Sequence, residues 1–249
     1  MRIVCNLLCR LWRRKKEDKK TAKKTFIVAT DKGFSPFEFE DSKGNIKGID
    51  MDILKAVSED QGFTYELHYI GWDAAIAECQ AGQADGMIAG ASITDKRIEE
   101  GWIFSDGYYE ATQGMAVGKD STVKSFDDLK GKNVVVKNGT MSDTYATELS
   151  KKYKFTVVRV STSPDMYAQV QGGQAAACFD DTPILKYSIK TGDLKMKYID
   201  GTENEPANYG FATFKKDGKS AELLKLFNEG LKNIKANGTY DRIIKDYLG

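Results

Sequence analysis

The alternation of strand-like and helix-like segments from Thr25 onward is the feature that most restricts how this chain can fold. Short β-branched runs such as "TFIVAT" (25–30) and "NVVVK" (133–137) precede segments with apolar residues at helical spacing, such as "IDMDILKAVSED" (49–60). Repeated strand–helix order is typical of parallel sheets with right-handed crossovers. The sequence therefore predicts an α/β fold.

Unusual polar residues fall where the predicted strands end. Asp31 follows the first strand, the segment 90–97 follows "DGMIA", the segment 137–141 follows "VVV", and Asp180 and Asp181 follow "AAACF". Ligands of open α/β sheets lie beyond the carboxyl ends of the strands, beside the N-termini of the helices that follow. The coincidence predicts a site for a polar small molecule.

Charge is distributed unevenly along the chain. Residues 1–24 hold ten Lys or Arg and two Asp or Glu, so of the 37 basic and 36 acidic residues, 27 and 34 remain in the body. The body therefore carries a balance of −7, which disfavours nucleic acid as a partner.

The N-terminal segment "MRIVCNLLCRLWRRKKEDKKTAKK" (1–24) admits several interpretations. Its apolar part ends near Trp12, short of the roughly 20 residues that span a bilayer, and its main basic run follows the apolar part, whereas a secretory signal places its charges first. A membrane-surface anchor with a polybasic flank, the remnant of a truncated or misassigned export signal and, for residues 13–24, a disordered charged tail all fit. Cys5 and Cys9 lie in this tail, and no Cys or His cluster predicts a metal site or a disulfide framework.

Taken together, the ordered segments resemble the extracytoplasmic amino-acid-binding proteins of ABC importers, most closely the glutamine-binding kind. The matching segments are "ATDKGFSPFEF", "GIDMDIL", "GASITDKR", "FSDGYY", "VVVKNGT", "DDTPILKY" and "NGTYDRI", in this order. The resemblance implies a type II periplasmic-binding-protein fold with two α/β lobes, two hinge strands and a ligand between the lobes. The implied division is a tail (1–24), lobe 1 (25–108 and 211–249), hinges (109–112 and 207–210) and lobe 2 (113–206).

The resemblance also implies how the backbone end of an amino acid is held. Arg97 would bind the α-carboxylate with its guanidinium fork, helped by backbone N–H groups near Ser92 and Met141. Asp181 would bind the α-ammonium, with the Gly90 carbonyl and the Ser92 hydroxyl as further acceptors. Small residues at 90 and 91 allow close approach of the backbone, and Thr94 is expected to cap the helix that carries Arg97.

For the ligand side chain, the resemblance implies two aromatic walls, Phe34 and Trp72, and two polar partners, Asp31 and Lys137. Asp180 stands where the glutamine-binding pattern has a histidine, and Met141 replaces a glycine. The full implied ligand-binding set is Asp31, Phe34, Trp72, Ala89, Gly90, Ser92, Arg97, Lys137, Met141, Asp180 and Asp181.

Each assignment has a structural alternative. Arg97 could be a solvated charge on a helix surface. Asp181 could be an N-cap before Thr182 and Pro183. The aromatic residues Phe34 and Trp72 could belong to the core, and Lys137 could lie in a surface turn.

The expected function is the extracytoplasmic receptor of an ABC importer, a monomer without a cofactor that binds a polar L-amino acid, predicted to be glutamine, and delivers it to a membrane permease. We do not expect an enzyme. The alternatives on the same fold are a cyclohexadienyl or arogenate dehydratase and a ligand-sensing domain.

Overall fold

The computed structural model describes residues 23–216 and 218–249. The predictions made for residues 1–22, including those on Cys5 and Cys9, lie outside the described residues. No helix in the described part combines the length and the apolar character needed to cross a membrane. Over the same ranges, no group of His, Cys, Asp and Glu side chains could hold a metal ion, and Cys79 and Cys178 are buried free thiols.

Strands and helices alternate through most of the described chain. The strands are β1 (Thr25–Thr30), β2 (Phe39–Glu40), β3 (Ile46–Lys47), β4 (Thr64–Tyr69), β5 (Gly86–Met87), β6 (Ile103–Phe104), β7 (Tyr109–Ala111), β8 (Gln113–Gly118), β9 (Asn133–Lys137), β10 (Thr156–Val160), β11 (Ala177–Asp181), β12 (Met196–Ile199), β13 (Ala207–Tyr209) and β14 (Ala212–Thr213). The helices are α1 (Ile49–Gln61), α2 (Trp72–Ala81), α3 (Asp95–Glu99), α4 (Met141–Tyr153), α5 (Ser163–Gln171), α6 (Thr182–Thr191), α7 (Gly218–Ala236) and α8 (Thr239–Leu248).

Two five-stranded sheets have equivalent arrangements. The first has the order β4-β1-β5-β14-β6 and the second β10-β9-β11-β8-β12. In each, three neighbouring strands run parallel and the last two join antiparallel to their neighbours. The α/β fold class is confirmed, but the expectation of parallel sheets is wrong for these antiparallel strands. Strands β8 and β14 each follow directly from the pair that links the sheets, not from a helical crossover, so they enter from the opposite direction.

The pair that links the sheets consists of β7 and β13. They run antiparallel, with Tyr109 opposite Tyr209 and Ala111 opposite Ala207. These strands fall in the segments predicted as hinges, and the predicted lobe boundaries, which follow from them, remain a prediction.

Each sheet is covered by helices that bury apolar faces. On the first sheet, α1 and α7 pack closely, and Gly230 of α7 permits the contact because a Cβ there would lie 2.7 Å from Val57 Cγ1. Four buried hydrophobic clusters result, two around each sheet. These cores fix the strand ends, and therefore the polar residues that follow them.

Candidate functional site

A small cavity of about 20 Å³ lies where the strand ends of the two sheets face each other. This space has room for about one water molecule, so side chains fill most of the cleft. Both lobes line it, with residues Asp31, Phe34, Trp72, Ala89, Gly90, Ser92, Arg97, Lys137, Thr140, Met141 and Asp181. The structure thus brings together every residue of the predicted set except Asp180.

Arg97 is buried, with 7% of its surface exposed. Thr94 caps its helix, accepting a hydrogen bond from Arg97 N at 3.2 Å, as the sequence predicts. The guanidinium donates to the Ser92 carbonyl at 2.8 Å and, across the cleft, to the Gly139 carbonyl at 3.3 Å. Burial lowers the pKa of Arg97 to about 10, so the group stays charged at neutral pH. A solvated surface position is inconsistent with this burial.

Asp181 occupies the N-cap position of α6, but within the described chain its side chain makes no capping hydrogen bond. Its carboxylate accepts instead from Gln113 Nε2 at 2.7 Å, from Ser142 Oγ at 3.4 Å and from the Tyr209 hydroxyl. Burial raises the pKa of Asp181, while these donors and the charge of Arg97 lower it. The Asp181 side chain therefore lines the cavity and does not cap the helix.

Lys137 and Asp31 form a buried ion pair across the cleft. Lys137 is the last residue of β9, and Asp31 directly follows β1, so the pair joins the carboxyl ends of strands from the two sheets. The second oxygen of Asp31, Oδ1, accepts from Lys32 N at 2.6 Å. The surface-turn alternative for Lys137 does not fit its exposure of 3%.

Aromatic rings surround these charges. The Lys137 ammonium lies 5.9 Å from the ring centroids of Phe34 and Trp72. The Arg97 guanidinium lies 5.1 Å from the Trp72 ring and 4.9 Å from the Trp102 ring. Trp72 Nε1 is buried without a hydrogen-bond partner among the described residues. Phe34 and Trp72 therefore belong both to the hydrophobic clusters and to the cavity wall.

Gly90 shapes the loop between β5 and α3. Its backbone has φ of +54°, and a Cβ at this position would lie 2.6 Å from Phe34 Cε1. Only glycine adopts this conformation at so close an approach without strain. The Gly90 backbone consequently packs directly against the Phe34 ring at the cavity wall.

Asp180 is buried but does not line the cavity. Its carboxylate accepts from the Tyr167 hydroxyl of α5 and, at 2.9 Å, from Asp181 N. Burial and the nearby charge of Asp181 raise the pKa of Asp180 to about 7. Successive residues of a strand face opposite sides of the sheet, and of the two only Asp181 lines the cavity. The period of two along the predicted strand could have separated these two residues from the sequence alone.

Several contributors were not predicted. Thr140 lines the cavity, Trp102 stacks over Arg97, and Gln113 and Tyr209 hold Asp181. Thr140 had a signal, since it is the N-cap of α4 and accepts from Asp143 N at 3.2 Å. The others come from distant segments whose pairing no local pattern reveals.

Two sets of opposite charges therefore face the cleft: Arg97 and Asp181 both line the cavity, and no salt bridge joins them among the described residues, while Lys137 and Asp31 pair directly across it. The first offers one partner to a carboxylate and one to an ammonium, as the α-groups of an amino acid require. The second offers an acceptor and a donor beside aromatic walls.

Comparison with known proteins extends over nearly the whole described chain. The sequence model of the bacterial extracellular solute-binding proteins, family 3, matches residues 26–249. A probable histidine-binding protein of Neisseria gonorrhoeae is 30% identical over 227 residues, which cover 90% of this chain and 83% of that protein.

Solved structures of amino-acid-binding proteins are similar to this chain over a comparable range. An ancestral arginine-binding protein bound to arginine is 31% identical with a TM-score of 0.81, covering 91% of this chain and 99% of that one. An ancestral arginine-binding protein bound to glutamine has the same identity and TM-score, with coverages of 92% and 99%. Substrate-binding domain 2 of GlnP from Lactococcus lactis, in an open conformation, is 39% identical but has a TM-score of 0.62, with coverages of 91% and 96%.

In the present structure the Lys137–Asp31 ion pair and the Arg97–Gly139 hydrogen bond join the two sides of the cleft, whereas the Lactococcus lactis domain is described as open.

Proposed function

We propose that this chain, which belongs to the bacterial extracellular solute-binding proteins of family 3, is the extracytoplasmic receptor of an ABC importer for L-glutamine. A solute-binding role in amino-acid ABC transport, with a polar amino acid as ligand, is what the family and its relatives support. The choice of glutamine is the finer step and depends on the cavity.

The Asp31–Lys137 ion pair is the observation that carries the choice. Each member is almost fully buried, so each charge depends on the other for compensation. A charged ligand side chain would pair with one member and leave the other uncompensated. A primary amide donates to the Asp31 carboxylate and accepts from the Lys137 ammonium, so both charges keep a partner.

Other ligands fit this pair less well. Glutamate would place a carboxylate against Asp31, and arginine or lysine would place a cation against Lys137. Asparagine carries the amide on a stem that is one methylene shorter and cannot reach both partners. Relatives named for histidine and arginine make those two amino acids the main competitors.

The α-groups of the ligand are assigned to the other charge set. Arg97 would exchange its bond to the Gly139 carbonyl for the α-carboxylate, which would lie near the N-terminus of α4 at Met141 and gain from the helix dipole. Asp181 would bind the α-ammonium. Because these partners come from opposite lobes, one amino acid would stabilise the closed arrangement, which is the form presented to the permease.

Competitive calorimetry at neutral pH tests the proposal, with purified protein that has been unfolded and refolded to remove co-purified ligand. Glutamine should bind most tightly and should displace glutamate, asparagine, arginine and histidine. If arginine or histidine binds more tightly, the glutamine assignment fails and the amino-acid receptor remains.

The dehydratase alternative is separated by incubating the protein with prephenate or arogenate and following the formation of phenylpyruvate or phenylalanine. We expect no turnover, because the residues that line the cavity are engaged in holding a zwitterion and its side chain. Turnover that is lost on Arg97→Ala would make this chain an enzyme.

A further inference from the structure

A pair of buried carboxyl groups, Glu38 and Asp50, lies directly behind the cavity. Both residues are 0% exposed, and neither belongs to the cavity lining of the described chain. Their side chains adjoin each other, although Asp50 is carried by α1 and Glu38 precedes β2. No cation forms a salt bridge with either of them within the described residues.

Asp50 holds the backbone of the ligand loop. Its Oδ2 accepts from Gly90 N at 2.9 Å and from the Tyr108 hydroxyl at 2.9 Å. Because Gly90 is pressed against the Phe34 ring, this hydrogen bond sets where the loop meets the ligand. A carboxylate acceptor makes the bond stronger than a neutral one would.

Glu38 fixes the opposite side of the same contact. Its backbone N donates to the Phe34 carbonyl at 3.2 Å, and its carbonyl accepts from Phe34 N at 2.8 Å, so Glu38 closes the turn that presents the Phe34 ring. The carboxyl group of Glu38 is buried beside that of Asp50. The two acids thus support the two neighbours, Phe34 and Gly90, that form one wall of the cavity.

The two carboxyl groups have more hydrogen-bond acceptors than the surrounding donors satisfy. Among the described residues, Asp50 Oδ1 and both carboxyl oxygens of Glu38 have no hydrogen-bond partner. Two adjacent carboxylates in a buried site repel each other strongly, and a single proton between them removes the repulsion and supplies a donor.

We propose that Glu38 and Asp50 are positioning residues that share one proton, and that this proton holds the Gly90 loop and the Phe34 turn in the geometry that binds the ligand. Glu38 keeps the proton and donates it to Asp50, which remains the acceptor for Gly90. The inference rests on the proposed ligand site, since its effect on affinity is exerted through that site.

The surroundings of the pair favour this state. Burial raises the pKa of Glu38 well above its usual range, and Asp50 and Asp31 raise it further, while Lys137 lowers it. Burial also raises the pKa of Asp50 to about 7, while Gly90 N, Tyr108 and Glu38 lower it. The titratable and charged groups that face the pair are Asp31, Tyr69, Tyr108, Lys137 and Tyr240.

The sign of the pH effect follows from the raised pKa. At neutral pH the proton is retained, and as the pH rises through the pKa of the pair it is lost. Two carboxylates then face each other behind Gly90, and we expect the affinity for glutamine to fall by about tenfold.

The test uses Glu38→Gln, which keeps a donor toward Asp50 and removes the titratable group of Glu38. Glu40→Gln is the matched control, because Glu40 lies two residues further on and is exposed. Infrared spectra of the ligand-free proteins near neutral pH should show a protonated-carboxyl C=O band in the wild type and in Glu40→Gln that is missing in Glu38→Gln. Asp180→Asn should keep the band, which separates the contribution of Glu38 from that of Asp180, whose pKa is also raised.

Calorimetry with glutamine across neutral and alkaline pH measures the effect of the pair on ligand affinity. Glu38→Gln should bind within about twofold of wild type at neutral pH and should lose less affinity in alkali than wild type and Glu40→Gln do. The α-ammonium of glutamine also titrates in alkali, but equally for all three proteins, so only their difference counts.

Two outcomes overturn the inference: a carboxyl band that is absent from the wild type or unchanged in Glu38→Gln, or pH profiles that coincide for all three proteins. If Glu38→Gln does not fold, the wild-type and Asp180→Asn spectra still decide whether the proton is present. The spectra need no ligand, so a failure of the glutamine assignment in the competition assay is distinguishable from a failure of the proton pair.

Discussion

The two lobes contribute different chemistry to the same cavity. Lobe 1 supplies the aromatic walls Phe34 and Trp72 together with Arg97 and Asp31, whereas lobe 2 supplies Lys137, Asp181 and the N-terminus of α4. Each lobe therefore has one cation and one anion facing the cleft, and Lys137 and Asp31 pair directly across it. Neither lobe alone offers a complete site. Closure therefore depends on contacts that join the two lobes, or on a ligand that replaces those contacts.

Removing the cation of lobe 1 should have the largest effect. We expect Arg97→Ala to weaken glutamine binding by about 10²- to 10³-fold, because losing one partner of a desolvated charge pair costs about 3–5 kcal/mol. Calorimetry measures the change. Lys96→Ala is the matched control, since Lys96 neighbours Arg97 on α3 but is 70% exposed. A change below about fivefold for Arg97→Ala would exclude Arg97 from the site.

Removing the anion of lobe 2 should have the second-largest effect on binding. We expect Asp181→Asn to weaken binding by about 10²-fold, because the α-ammonium loses its counter-charge. Asp180→Asn, one residue earlier and on the other side of the strand, should change the dissociation constant by less than about fivefold. Equal losses for both variants would contradict the assignment of only Asp181 to the cleft. A lower melting temperature with unchanged binding for Asp181→Asn would favour the helix-cap interpretation.

The second ion pair should affect selectivity more than affinity. We expect Lys137→Met to weaken glutamine binding by about tenfold and to narrow the preference for glutamine over arginine, because Asp31 would be left with an uncompensated charge that a cationic side chain can satisfy. Competition titrations measure the ratio. Lys132→Met, at an exposed position just before β9 in the same lobe, should leave the ratio unchanged. An unaltered ratio for Lys137→Met would show that this lysine does not contact the ligand side chain.

The smallest expected effect lies outside the cleft, on the surface of lobe 1. His68, the only histidine of the chain, pairs with Glu78 at 2.7 Å, and this hydrogen bond raises the pKa of His68. A raised pKa stabilises the fold fully below the unfolded-state value of about 6.5, and the contribution is lost as the pH rises through the folded-state pKa.

Glu78→Gln should therefore lower the free energy of unfolding by less than about 1 kcal/mol at mildly acidic pH, and by less in mild alkali. Urea denaturation at the two pH values measures the difference, and glutamine affinity should stay unchanged. A destabilisation that is equal at both pH values would show that the pair contributes through packing and not through charge.

Much of the site could be predicted because its residues follow strands directly. Asp31 and Lys137 come from the ends of β1 and β9, which belong to different sheets, and in each sheet ligands lie beyond the carboxyl ends of the parallel strands. Arg97 could be placed because a small-residue loop and a capping threonine precede it. Asp180 shows a limit of using strand ends alone, since the period of two along a strand separates it from Asp181.

The sequence by itself determined the order of strands and helices, the positions of the caps and the polar residues at the strand ends, because these depend on local periodicity and local hydrogen bonding. Only the tertiary structure decided which strands run antiparallel, which rings cover Arg97, and that Glu38 and Asp50 meet behind Gly90. Those contacts join segments that are far apart along the chain, and packing of the whole core selects them, so no local pattern specifies them.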